Sequence, residues 1–214
     1  MPLNPAICFV SGILAILAGF LVLAAGWKKP LNRSWFFFNL CFSLFILGLG
    51  VGFTSDPKTA IFSEKIMDTG TIFVPIATLY FILVLTGLSG RRKKFFTINF
   101  LIALVFAALM LFTGYFFQGL GDYINEMGYY AFNYNEAVYI VFLVWFLAVS
   151  AYAFYILFSE ARKKDVDPVK RQQMVFVFWG VLITYISASV NFLLDYVTIP
   201  FYYNLLVPFY LVFV

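Results

Sequence analysis

The residues that could do chemistry in this chain are few, and most are uncharged. One set lies between Gln173 and Asp195. At about 100° per residue, Gln173, Gly180, Thr184, Ser187, Ala188, Asn191 and Asp195 fall within about 60° of one direction of a helix. Trp179, Leu182, Ile186 and Leu193 point away from that direction. A second set, Thr71, Pro75, Thr78 and Thr86, shares a face of the apolar run around residues 70–88. A third is the segment from Gln118 to Tyr139, which gathers Tyr123, Tyr129, Tyr130, Phe132, Tyr134 and Tyr139 with Asp122, Glu126 and Glu136. Hydroxyls, amides and phenols of this kind bind by hydrogen bonding and stacking. The candidate ligand-binding residues are therefore Thr78, Thr184, Ser187, Asn191, Asp195, Tyr130 and Tyr134.

Each set admits two readings. Small and hydroxyl residues let membrane helices approach and bond, so the helical stripes read as packing faces or as the wall of an outward-opening pocket. Pro75 frees a carbonyl one turn earlier, which must find a partner inside protein or in a wet cavity. The tyrosine-rich segment reads as an interfacial aromatic belt, or as a short hairpin or lid over the mouth of a bundle.

The elements that position these residues follow from composition. Of the 214 residues, 64% are hydrophobic and 11% are charged, against roughly 25% charged in soluble domains. A water-soluble core cannot hide so much apolar surface, so lipid is the solvent. A membrane helix needs about 20 mostly apolar residues. Six stretches qualify: 5–27, 34–53, 70–88, 95–117, 137–158 and 174–194. A seventh, 203–214, is too short to cross and reads as the start of a helix that continues. The fold class expected is an all-α, polytopic membrane bundle of seven helices, the seventh truncated.

Charge sets the orientation. The segments between the first and second, third and fourth, and fifth and sixth stretches hold three, four and five Lys/Arg residues, twelve of the fourteen. The other side holds only Lys58 and Lys65, with seven of the ten carboxylates. Cytoplasmic loops collect Lys and Arg, which puts the N-terminus outside. Asp167 reads as a helix cap with Pro168 at the first helical position, so that Lys170, Arg171, Gln172 and Gln173 mark the cytoplasmic edge of the sixth helix. The Asn32-Arg33-Ser34 sequon falls on that same side and is discarded. The N-terminal stretch lacks a basic n-region and is too long for a signal peptide. Cys8 and Cys41 lie at different depths, beyond disulfide reach, and read as free packed thiols.

Several function classes are excluded. No charged side chain lies inside any expected span, which argues against an ion-coupled pump. The chain has no histidine, no carboxylate pair within a span and no His/Glu metal pattern, so catalytic, metal and cofactor sites are not expected. The net charge of +4 is too small to argue for nucleic acid. Ser11-xxx-Ala15-xxx-Gly19 and Gly48-xxx-Gly52 read as close-packing motifs.

Three stretches carry a resemblance. "SEKIMDTGTIFVPIATLYFIL" has a Gly followed by a Pro within an apolar run. "GYYAFNYNEAVYIVFLVWFLAVSAYAFYIL" is an outer loop leading into a helix. "DPVKRQQMVFVFWGVLITYISASVNFLLDYVTIPFYY" has a basic-Arg-Gln start, a Gly one turn in, an Asn-Phe-Leu exit and a following Pro. In these the chain resembles the N-terminal seven-transmembrane sensor region of bacterial histidine kinases. The resemblance implies the bacterial cytoplasmic membrane, a cytoplasmic output domain after residue 214, and pairing into a homodimer through segments beyond this one. It implies a sensory input module but supplies no shared ligand; a small apolar or aromatic molecule, a peptide and a lipid are all compatible with the tyrosine-rich segment. A transporter or lipid-handling protein for uncharged substrates is the alternative.

Overall fold

The computed structural model describes residues 3–53, 56–124 and 128–189. They form six helices and one hairpin: α1 (Leu3–Ala24), α2 (Pro30–Gly52), α3 (Pro57–Thr86), α4 (Lys93–Phe112), β1 (Phe117–Ile124), β2 (Tyr129–Tyr134), α5 (Glu136–Ala161) and α6 (Pro168–Ser189). Helices α1 to α5 are each long and apolar enough to cross a membrane. The sixth expected span overlaps α6, and the seventh, 203–214, lies outside the described residues. The one departure from an all-α fold is the antiparallel β1–β2 pair.

Local sequence signals set the helix ends. Asp56 accepts from the Thr59 backbone N–H at 2.9 Å with Pro57 at the first turn of α3. The Thr59 hydroxyl, on the same carboxylate, is the main cause that holds the Asp56 pKa below its ordinary value. At the other end Gly87 takes φ 78° and returns its N–H to the last carbonyls, a conformation that glycine adopts without strain. Asp167 accepts from Val169 and Lys170 at 2.9 and 3.1 Å with Pro168 behind it, as the sequence predicts.

Helix α3 is the central element. It packs on α2, α4 and α5 and touches both strands. Its contact with α2 is backbone to backbone: a Cβ added at Gly48 would lie 2.5 Å from the Met67 nitrogen, and one at Gly70 would lie 2.7 Å from the Cys41 carbonyl. Ser11, Ala15 and Gly19 are buried, and a Cβ at Gly19 would meet Asn39 Cβ at 3.1 Å, which puts that stripe on α2. Large aromatics fill the wider seams, as in Phe95–Tyr152 (4.4 Å between ring centres) and Phe106–Phe142 (5.4 Å). Trp145 donates to Asn99 at 3.0 Å across the α4–α5 seam. Cys8 and Cys41 are free and buried.

Two expectations need correction. The third span begins at Pro57, thirteen residues before the expected Gly70, so Glu64, Lys65 and Asp68 are helical. The statement that no charge lies inside a span therefore fails for the helix as a structural unit. The physical reason is length. Thirty residues rise about 45 Å, well beyond a ~30 Å hydrocarbon core. Measured from Thr86 at the basic end, Glu64 stands about 33 Å away, at the far edge of that core. The second correction is α4, which stops at Phe112. Phe116 and Phe117, expected inside the fourth span, are buried at the root of the hairpin instead.

Candidate functional site

The acidic turn of α3 and the hairpin meet at the end of the bundle opposite the basic turns. Glu64 and Asp68 are one helical turn apart and only 2% and 7% exposed. Strand β2 carries Tyr134 onto them, and its hydroxyl donates to Glu64 Oε1. The register pairs Tyr134 with Phe117, and Asn135 N–H closes the loop on the Phe116 carbonyl at 3.0 Å. Asn135 then caps α5 by accepting from Val138 at 3.3 Å. The hairpin is thus anchored where it enters and where it leaves.

An aromatic cage surrounds that hydrogen bond. Tyr134 stacks on Tyr139 at 4.8 Å and 17°, while Phe116 meets Tyr134 edge-on at 6.0 Å. Burial, reinforced by the nearby Asp68 and Glu64 carboxyls, holds the Tyr134 pKa well above the ordinary tyrosine value. The phenol keeps its proton and acts as a donor. Farther out, Tyr129 touches Phe53 at the end of α2 edge-on at 6.2 Å, and Tyr123 meets Tyr130 at 5.0 Å. Lys65 turns aside and donates to the Leu111 carbonyl at 3.3 Å, tying α3 to the end of α4.

The residues predicted from sequence separate into two levels. Tyr130 and Tyr134 lie together on β2. Thr78 and Thr184 sit deep in the bundle at 0% and 1% exposure, with Thr78 about 21 Å along α3 from Glu64. Both threonines return their hydroxyls to their own helices, Thr78 to Val74 at 2.8 Å and Thr184 to Gly180 at 2.9 Å. Thr78 also reaches across to the Tyr185 hydroxyl at 3.0 Å. Ser187 falls on α6 with its side chain outside the described set, and Asn191 and Asp195 lie outside the described residues.

Sequence reasoning missed Glu64, Asp68 and Tyr185. A signal for the first two was present. Glu64, Asp68, Thr71, Pro75 and Thr78 fall within about 40° of one helical direction, so the polar stripe of α3 continues past the apolar run. Tyr185 gave none, because it lies about 120° from the centre of the α6 stripe.

Five helices long and apolar enough to cross a membrane, with an anchored hairpin at one end of the bundle, define a multi-pass membrane protein. The chain belongs to the family described as the N-terminal 7TM region of histidine kinase, whose model matches residues 7–214. Among curated proteins and among solved structures, none matches it. It is a membrane sensor region of a histidine kinase, the part that serves signal transduction and not the part that transfers phosphate.

Proposed function

We propose that this region detects a stimulus at the outer face of the bacterial cytoplasmic membrane through the docking of the β1–β2 hairpin on α3. In this reading the chain crosses seven times with its N-terminus outside, and the seventh helix, beginning in 203–214, carries the change inward to a kinase domain. The module pairs as a homodimer through segments beyond it. The observation that carries the reading is the Tyr134–Glu64 hydrogen bond. It joins an outer loop to the most central helix through a buried carboxyl and a partly buried phenol. A small molecule, peptide or lipid that binds docked and undocked hairpins unequally shifts their populations in proportion to that difference.

The test is a full-length kinase driving a transcriptional reporter. Tyr134→Phe and Glu64→Gln are each expected to change basal output and to blunt the response at unchanged membrane abundance. Leu104→Ala, on a lipid-exposed face of α4, leaves both intact. Wild-type responses from both hairpin variants would remove the reading. A topology arm labels single cysteines at Gly90 and Asp165, both expected to react from the cytoplasm only.

A further inference from the structure

We infer that the basic end of the bundle holds an anionic phospholipid in a cavity between α1, α2, α3 and α6. The cavity has a volume of about 350 Å³, within the range of roughly 300–1,000 Å³ found for ligand pockets. Its walls are mainly apolar, with Val22, Leu85 and Phe176 among them, and Asn32 and Gln173 supply amide groups. Phe176 is substantially exposed, so one wall faces the surroundings of the bundle and gives a tail lateral entry.

Two observations identify the occupant. The first is charge. Both chain segments that bring Asn32 and Gln173 to the cavity are basic: Lys28, Lys29 and Arg33 flank Asn32, and Lys170 and Arg171 precede Gln173 within one turn. Cations at the headgroup level beside an apolar slot between helices fit a phosphate head with an acyl tail. The second is an unused donor. Trp35 lines the cavity and is 6% exposed; its indole N–H is closed within that wall without a hydrogen-bond partner, and a turn of the ring is needed to bring it to an acceptor in the cavity. Buried donors in native proteins are nearly always paired. The phosphate and ester oxygens of a phospholipid are acceptors, which an alkane or a sterol ring is not. Asn32 is already engaged, donating to the Val22 carbonyl at 2.8 Å and holding the α1 and α2 walls together. The inference does not depend on the sensory reading, since it requires only that this end lie at a leaflet surface.

The test uses the whole chain in nanodiscs, with Trp27, Trp145 and Trp179 replaced by Phe so that Trp35 alone reports. Being buried, Trp35 is shielded from annular lipid. Phosphatidylglycerol with brominated acyl chains, at a small mole fraction in phosphatidylcholine, is expected to quench it saturably. Brominated phosphatidylcholine is expected to quench it at least tenfold more weakly at equal fraction. Lys29→Gln and Lys170→Gln each reduce the apparent affinity roughly fivefold, and both are solvent-side changes that leave folding intact. Leu85→Trp, read by native mass spectrometry of co-purified lipid, fills the slot and removes the retained anionic lipid. Equal quenching by the two lipids would overturn the proposal. So would protection from both together with a cross-link from position 32 to residues 203–214, which would make the occupant this chain itself.

Discussion

Helix α3 is gripped by opposite kinds of contact on its two sides. Against α2 the contact is made by glycine from both helices: at Gly48 of α2 and Gly70 of α3 the neighbouring backbone occupies the place of a side chain. Towards α6 it offers distance: one polar bond runs from Thr78 to Tyr185, whose ring is held by Phe146 and Phe154 of α5 at 5.8 and 5.5 Å. Backbones in contact cannot slide without a clash, because close-packed interiors have discrete arrangements. Rings can change rotamer and re-pack. The α2–α3 seam is therefore the strut, and the α3–α6 seam, joined by one hydrogen bond, is the less constrained of the two.

The largest expected effect breaks the strut. Gly70→Val places three carbons where the α2 backbone runs between Cys41 and Phe45. Overpacking costs about 3 kcal/mol or more when neither side can yield. Heating the detergent-solubilised protein is expected to show the variant aggregating well below the wild type, with Gly70→Ala also destabilised. Gly90→Ala, with open space around it, keeps the wild-type transition. If Gly70→Val melted with Gly90→Ala, the backbone contact would not be the strut described.

Next in size is the hairpin latch. Removing the Tyr134 phenol leaves Glu64 without that donor, at a cost of about 1–3 kcal/mol. Hydrogen exchange at β2 amides is expected to quicken in Tyr134→Phe, while α2 amides stay protected. The same bond has a pH signature. The undocked phenol loses its proton near the ordinary value of 10.0, whereas the docked phenol, raised above it, keeps its proton. Docking is therefore fully present below pH 10 and weakens as pH rises beyond it. Ultraviolet difference titration against Tyr134→Phe should show the Tyr134 phenol ionising well above its ordinary value. A Tyr134 phenol that ionised at its ordinary value with the hairpin still docked would contradict the bond to Glu64.

The same asymmetry explains what was legible in the sequence. The apolar runs gave the first five spans, and small residues at helical spacing pointed to the strut, because Gly and Ser in lipid have few uses other than close approach. Asp167-Pro168 announced its own cap. Glu64 and Asp68 were hidden because hydropathy treats a carboxylate as a boundary, and α3 outruns the bilayer by several turns. The Asp56-Pro57 start and the 3.6-residue continuation of the Thr71–Pro75–Thr78 stripe carried the missing information. The clustering of tyrosine and glycine allowed a hairpin as well as a belt, and strand pairing with an anchored root decides for the hairpin. Tyr185 stayed illegible for a physical reason: its ring lies among aromatics, and only its hydroxyl reaches a partner, on a helix more than a hundred residues earlier in the chain.

The smallest expected effect is the most informative about the α3–α6 seam. Thr78→Val and Tyr185→Phe each delete the cross-helix bond, and such bonds within membranes average about 0.6 kcal/mol. The two differ in what else they remove. Thr78 also bonds the Val74 carbonyl of its own helix, so Thr78→Val carries a local term, while Tyr185→Phe leaves every ring contact in place. The double variant is expected to be less destabilised than the sum of the two, with the shortfall equal to the shared bond. Unfolding in a detergent series measures that coupling, and the reporter measures its consequence. If the seam is the element that shifts, Tyr185→Phe moves basal output more than Gly90→Ala does, although neither greatly changes stability. Additive stabilities with unchanged output would mean that α3 and α6 are joined as rigidly as α3 and α2, and the contrast between the two seams would be lost.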